Sequence, residues 1–245
     1  MLDAPLLDRV RIVLCGTSHP GNIGASARAM KTMGLSSLYL VNPQRFPATE
    51  AVAMASNAAD LLEHAVVCGS LDEALTGTVF AAACTARSRD LPHAVLTPRE
   101  AAARLLQESA AGAVALVFGP EKTGLTSGEV SRCGAIAMIP TDPRCASLNL
   151  AAAVQVFTYE LWQSAQQLPE SSPQDAYQAA SYEDVEFFFN HLEQTLYDIR
   201  FLDPSQPKRL MRRLRRLFQR TRLEKEEVNI LRGILTAAQK ARSNS

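Results

Sequence analysis

The sequence predicts an α/β fold: a mostly parallel sheet covered by helices, then a small all-helical module. Three observations predict it. Short apolar segments alternate with helical patterns through the first two-thirds of the 245-residue chain, as in parallel sheets with helices on both faces. Residues 166–181 are rich in proline and serine and have no apolar period, so they read as a linker. Beyond them, apolar residues recur only at helical spacing.

The elements follow in order. RIVLC (11–15) reads as a strand, and Asn22 as the cap of a helix running through Met33 and stopped by Gly34. LYLVN (38–42), AVVCG (65–69), TVFAAAC (78–84), AVALVFG (113–119) and AIAMIP (135–140) are further strands. Helical stretches lie near 49–55, 71–75, 98–110 and 126–131. The Ala-rich segment 147–165 reads as a long amphipathic helix opened by Ser147 or Asn149. In the C-terminal module Ser181 is a cap. Three apolar stripes follow: Val185, Phe188, Phe189, Leu192, Leu196 and Ile199; Leu210, Leu214, Leu217 and Phe218; and Val228, Leu231, Ile234 and Leu235. Glu224, Glu226 and Glu227 in the last helix's first turn suit its dipole. No internal repeat is visible. The expected organisation is 1–165, a linker over 166–181, and 182–245.

Composition narrows the function classes. Apolar residues make up 47% and charged residues 20%, which excludes general disorder. No run of 18 apolar residues suggests a membrane span, and MLDAPLLDRV does not read as a secretory signal. The cysteines (Cys15, Cys68, Cys84, Cys133, Cys145) are odd in number, with no C-x-x-C pair, and the histidines do not cluster. Neither zinc nor a disulfide framework is expected, and a reducing cytoplasm fits this usage. The chain has 25 basic and 25 acidic residues, and its zero net charge hides an asymmetry. Residues 208–222 hold eight cations and no acid, including Arg212, Arg213, Arg215 and Arg216, which leaves the rest at −8.

Three segments are rich in Gly, Pro and polar residues, and each follows a strand, where ligands bind in parallel α/β sheets. In GTSHPGNIGASAR (16–28), the helix start offers free amides to an anion, and Arg28 and Lys31 share a face suited to phosphate. The alternative is a capped helix with a solvated arginine. G-x-G-x-x-G is absent, so this is no dinucleotide fingerprint. FGPEKTGLT (118–126) is not a Walker loop, because Leu125 follows Gly124 where Lys is required. It is a tight turn carrying Glu121. IPTDPRCASLNLA (139–151) is an extended loop running into the long helix, which by itself is also what an ordinary capped core helix needs.

Taken together and in this order, N-I-G-A-S-A-R, F-G-P-E-K-T-G-L and I-P-…-S-L-N-L-A resemble the three motifs of the knotted SPOUT-class, TrmH-like RNA 2′-O-methyltransferases, over roughly residues 9–165. T-S-H-P-G-N-I-G, A-R-A-M-K-T-M-G-L, L-V-N-P, T-A-R-S-R and the C-terminal N-I-L-R-G-I-L narrow the likeness to the bacterial branch that methylates nucleotide 32 of the tRNA anticodon loop, usually cytidine or uridine.

The resemblance implies a parallel sheet whose C-terminal part is tied in a trefoil knot, a homodimer with the site at the subunit interface, S-adenosyl-L-methionine as cofactor, and tRNA as partner. It implies neither metal nor membrane. Carried over by motif, cofactor contacts are Cys84, Thr85, Ala86, Gly119, Ile139, Ala146, Ser147 and Leu148, many through backbone groups. Cys84 and Ala146 replace hydroxyl residues common in relatives. Arg28 is the family's proposed base, yet an arginine is normally charged, so a phosphate clamp that favours the developing alkoxide is the other role. Asn22, Glu121, Ser147 and Asn149 match supporting positions, with Glu121 a candidate restraint on Arg28. The basic helix, its arginines expected opposite the Leu210/Leu214/Leu217 stripe, is a candidate tRNA-binding face, with Lys31, Arg87 and Arg89 nearer the site. Two alternatives stay open: a methyltransferase of another tRNA or rRNA nucleotide, and a non-catalytic RNA-binding protein on the same fold.

Overall fold

The computed structural model describes residues 4–86, 95–167, 178–203 and 210–243. They fall into two compact units divided near residue 173. The first unit is built on a seven-stranded sheet. In chain order its elements are α1 (Ala4–Asp8), β1 (Val10–Cys15), α2 (Pro20–Thr32), β2 (Leu38–Val41), α3 (Thr49–Ala55), α4 (Ala59–Glu63), β3 (Val66–Cys68), α5 (Leu71–Leu75), β4 (Thr78–Cys84), β5 (Val95–Leu96), α6 (Pro98–Ser109), β6 (Ala113–Phe118), α7 (Ser127–Ser131), β7 (Ala135–Ala137) and α8 (Leu150–Gln167). The strand order is β3-β2-β1-β6-β4-β7-β5, and every pairing is parallel.

The central strands are buried on both faces, which is why they read as unbroken apolar runs rather than alternating ones. Val10, Ile12 and Leu14 of β1 and Val114, Leu116 and Phe118 of β6 share one core cluster with Ile23, Met30, Leu105, Val154 and Phe157 from α2, α6 and α8. The alternate residues Val13, Cys15 and Val117 are equally buried and point to the opposite face. The carboxylate of Asp72 in α5 pairs with Arg132, just past α7. All five cysteines are free, and burial pushes the Cys15 thiol up to about 12.

The predicted strands and helices are all present, and the differences are local. The two-residue strand β5 and the short helices α1 and α4 are not among the predicted elements, since none is long enough to show a period. Asn22 does not cap α2: His19 is the N-cap, Pro20 takes the first helical position, and Asn22 lies inside the first turn. Gly34, at φ 70, follows the helix as expected. Asn149, not Ser147, caps α8, accepting from the amides of Ala151 (2.9 Å) and Ala152 (3.3 Å), and α8 runs to Gln167, past the expected start of the linker.

The second unit contains α9 (Tyr182–Asp198), α10 (Leu210–Gln219) and α11 (Lys225–Ser243). Ser181 opens α9 with a reciprocal capping box to Asp184. Phe188, Phe189, Leu192 and Val228 form its core, with Met211, Leu214, Phe218, Leu231 and Leu235 packed against them. The Phe188 and Phe218 rings meet edge-on at 4.9 Å. Each predicted stripe therefore loses one member to solvent: Ile199, Leu217 and Ile234 are exposed. On α10 the packed line is Met211/Leu214/Phe218, which keeps Leu214 and Phe218 of the predicted stripe and adds Met211. Among the described residues no helix is long and apolar enough to cross a membrane.

Candidate active site

The site is assembled where β1 and β6 lie side by side and their C-terminal loops meet. Strand order reverses here, because β2 and β3 extend to one side of β1 while β4 and β7 lie beyond β6. Gly16 turns the chain off β1 at φ 58, and a Cβ there would stand 3.0 Å from the Pro120 side chain. Gly119 leaves β6 so tightly that a Cβ would lie 2.2 Å from the Leu125 amide. Only glycine fits that fold-back, which the Gly124 amide closes by donating to the Pro120 carbonyl at 2.8 Å. The turn hangs Glu121 over the start of α2.

Glu121 is held from several sides. One carboxylate oxygen accepts from the Ser18 amide (3.1 Å) and hydroxyl (2.9 Å), the other from the His19 amide (3.3 Å) and Asn22 Nδ2 (2.8 Å). Burial acts to raise its pKa, but the hydrogen bonds from Asn22, its own backbone and Ser18 prevail and lower it to about 2. It is an ionised acceptor at neutral pH, beside an electropositive helix start. That fixes the rest of the chain of contacts. Because a carboxylate only accepts, Asn22 must present its NH₂ to Glu121 and its oxygen outward. Asn149 Nδ2 donates to that oxygen at 2.9 Å, and the Asn149 oxygen accepts from the first amides of α8. One relay of fixed polarity thus joins the loops after β6 and β1 to the start of α8.

Beside this relay lies a cavity of about 370 Å³. Cys84, Thr85, Ala86, Gly119, Ile139, Ala146, Ser147 and Leu148 all line it, together with Glu121. They arrive from the ends of β4 and β6 and from the loop leading from β7 to α8. Its floor is apolar: Phe118 and Phe157, edge-on at 5.7 Å, with Ala137 and Leu150. Burial pushes the Cys84 thiol well up, so it lines the wall as a neutral group. Sequence reasoning missed Ser18, which stands inside a quoted motif, and the aromatic floor, because Phe118 and Phe157 look like any other core residues of their strand and helix.

The cations separate into kinds. Arg28 is exposed on α2 and has no hydrogen-bond or ion-pair partner among the described residues, so the expected restraint by Glu121 is absent. Glu121 is committed to Ser18, His19 and Asn22 instead. Lys31, expected beside Arg28 on phosphate, pairs with Asp60 at 2.6 Å. On α10, Arg212 and Arg213 are exposed. Arg215 departs from the expected water-facing row: it forms a two-pronged ion pair with Glu186, both side chains only 18% exposed, and lies 4.4 Å over the Phe189 ring. It shares the packed side with Leu214 and Phe218. Arg216 is half-buried, and its Nε is buried without a hydrogen-bond partner. Arg87 and Arg89, and Lys208 and Arg209 of the basic segment, lie outside the described residues.

A parallel sheet with a loop-built cavity at its carboxyl edge is the architecture of the SpoU methylase class, and residues 9–159 match the model described as SpoU rRNA Methylase family. Residues 183–245 match tRNA methyltransferase TrmJ, C-terminal domain. The chain belongs to the TrmJ family of tRNA methyltransferases. It is 51% identical to the tRNA (cytidine/uridine/adenosine-2′-O-)-methyltransferase TrmJ of Pseudomonas aeruginosa, covering 96% of this chain and 95% of that one. It is 47% identical to the tRNA (cytidine/uridine-2′-O-)-methyltransferase TrmJ of Pectobacterium atrosepticum, covering 96% and 98%. Among solved structures, the crystal structure of TrmJ from Z. mobilis ZM4 superposes with a TM-score of 0.82 at 32% identity, covering 93% of this chain and 97% of that one.

Proposed function

We propose that this protein methylates the ribose 2′-hydroxyl of nucleotide 32 in the tRNA anticodon loop, using S-adenosyl-L-methionine, and that it acts in the cytoplasm as a homodimer. The observation that carries this reading is convergence. Residues spread from position 84 to position 148, selected by motif alone, line one cavity. The cavity suits the cofactor. Its volume is in the range of small-molecule sites, its apolar floor suits a purine ring, and its walls are loop backbone able to hydrogen-bond polar edges. Cys84, Thr85, Ala86, Gly119, Ile139, Ala146, Ser147 and Leu148 would hold it. When bound, it supplies an electrophilic methyl group on a sulfonium centre.

The rest of the work falls to the chain. A ribose hydroxyl is a weak nucleophile, so holding it in line is the main task. The Glu121–Asn22–Asn149 relay ties together the three loops that bound the site, and Ser18 braces the same carboxylate. Arg28 is the cation that clamps the substrate phosphate and favours negative charge developing on the 2′-oxygen. Its solvent-exposed position, with no competing carboxylate among the described residues, supports this role over that of a base. Arg212, Arg213 and Arg216 supply phosphate contacts that position the tRNA without specifying bases. Because a 2′-hydroxyl is common to all four ribonucleotides, the identity of base 32 has limited leverage. We assign the two activities to residues 1–165 and 182–245, joined by the linker between them.

The test is transfer of tritiated methyl from S-adenosyl-L-methionine to unmodified tRNAs differing only at nucleotide 32, and to one carrying a 2′-deoxyribose there. Label is expected on every ribonucleotide variant and none on the deoxy variant. Equal labelling of the deoxy variant would place the reaction at another nucleotide.

A further inference from the structure

Among the described residues that line the cavity beside the relay, two are charged, Glu121 and Lys122, and they are consecutive in the chain. The relay uses the first. A carboxylate offers about four acceptor sites. The Ser18 amide and hydroxyl, the His19 amide and Asn22 Nδ2 occupy those of Glu121, so its charge is turned toward the start of α2. Lys122 is not one of those donors. Its place follows from the turn after β6. The chain leaves the cavity floor at buried Phe118 and reaches exposed Lys122 four residues later. The Gly124 amide closes the turn on the Pro120 carbonyl at 2.8 Å, which sets residues 121–123 at its tip. Lys122 therefore stands at the rim, above the apolar floor of Phe118, Phe157, Ala137 and Leu150.

A ligand that lays an apolar ring system on that floor turns its polar end to this rim. In S-adenosyl-L-methionine the polar end is an amino acid, and it carries a carboxylate. An anion drawn against a partly enclosed wall needs a partner. The other described lining side chains are neutral, and ionised Glu121 repels a second carboxylate. Lys122 offsets that repulsion from the adjacent position. We propose that Lys122 binds the carboxylate of the cofactor's methionine moiety, so that the cavity selects its ligand by charge at the rim as well as by shape at the floor. This rests on the reading of the cavity as the S-adenosyl-L-methionine site. A lysine suits the task, because its ammonium is a point charge on a flexible stem and can follow a carboxylate as the ligand enters.

The test is calorimetric titration of the full-length protein with S-adenosyl-L-homocysteine and with its decarboxylated analogue, which keeps the adenosine, the sulfur and the amine. Wild type is expected to prefer S-adenosyl-L-homocysteine by roughly tenfold, as for a charge-assisted contact. K122M should weaken S-adenosyl-L-homocysteine by about the same factor and leave the analogue no weaker, so that the preference disappears. K122R, which keeps the charge, should retain most of it. The analogue is held by the rest of the cavity, so it reports separately on whether each variant is intact. R87M, which changes the cation next after Ala86 in the chain, is expected to keep the preference. A wild-type preference that survives in K122M, equal loss of both ligands in K122M, or a preference lost in R87M instead overturns the proposal. So does a K122M protein with unchanged ligand preference but a smaller salt slope for tRNA binding, which would assign the lysine to a phosphate. If wild type binds neither ligand, the cofactor reading of the cavity fails and the proposal falls with it.

Discussion

The loops around Glu121 and the surface of α10 handle polar groups in opposite ways. Around Glu121, the carboxylate, Asn22 and Asn149 are all satisfied within the chain, and even the orientations of the amides are dictated by a fixed negative charge. On α10, Arg212 and Arg213 are left to water, and Arg215 is spent internally. The first arrangement is preorganised and short-ranged, so its loss should appear in turnover. The second is long-ranged and screened, so its loss should appear in affinity and salt dependence.

The largest effect expected is at Arg28. R28A should lower methyl transfer by about 10³-fold, at the upper end for removing a group that stabilises transition-state charge, while cofactor affinity by calorimetry stays within about twofold. Full activity would remove Arg28 from the mechanism. E121Q comes next, with a drop in kcat of roughly 10²-fold, because a glutamine presents an NH₂ where several donors converge. The pH dependence gives a second check. The folded Glu121 pKa of about 2 lies below the ordinary value of 4.5, so its contribution is complete above 4.5 and is lost as pH falls toward 2. Wild type should be more stable than E121Q by a constant margin above about pH 5, and that margin should shrink as pH falls from 4.5 toward 2.

R212A/R213A should weaken tRNA binding about tenfold and reduce the slope of log K against log salt by roughly 0.7–0.9 per lost phosphate contact, with cofactor affinity unchanged. An unchanged slope would mean these arginines do not touch phosphate. R215A should behave differently. It takes the partner from both Glu186 oxygens and uncovers Phe189, costing about 2 kcal/mol of stability. It should lower the melting temperature more than R212A/R213A does and change the salt slope less. If R215A instead reproduces the R212A/R213A pattern, the division drawn along α10 is wrong.

Much of the sheet was legible, because buried parallel strands announce themselves as apolar runs such as AVALVF and TVFAAAC. Length limits that signal: Val95–Leu96 pairs with β7 yet is too short to show a pattern. Helix faces were legible to within one residue's rotation. The period placed Leu217 inside, but 100° of rotation per residue lets Met211, Leu214 and Phe218 satisfy the same pattern, and packing chose the latter. Charge sign was legible and charge use was not. Arg215 is one of eight cations in an acid-free run, and its acidic partner lies 29 positions earlier in the sequence, on another helix.

By itself the sequence determined the parallel α/β core, the helical C-terminal module and the three loops that build the site, because these depend on local apolar periodicity and on glycines and prolines at fixed positions. Tertiary structure decided which polar groups meet. Asn22 reads as a helix cap and is instead a link between Glu121 and Asn149, separated from them by 99 and 127 positions. Lys31 reads as a phosphate ligand and is held by Asp60. A hydrogen bond or an ion pair needs two partners within about 3 Å, and residues far apart in the chain acquire that distance only when the sheet brings their loops to one edge.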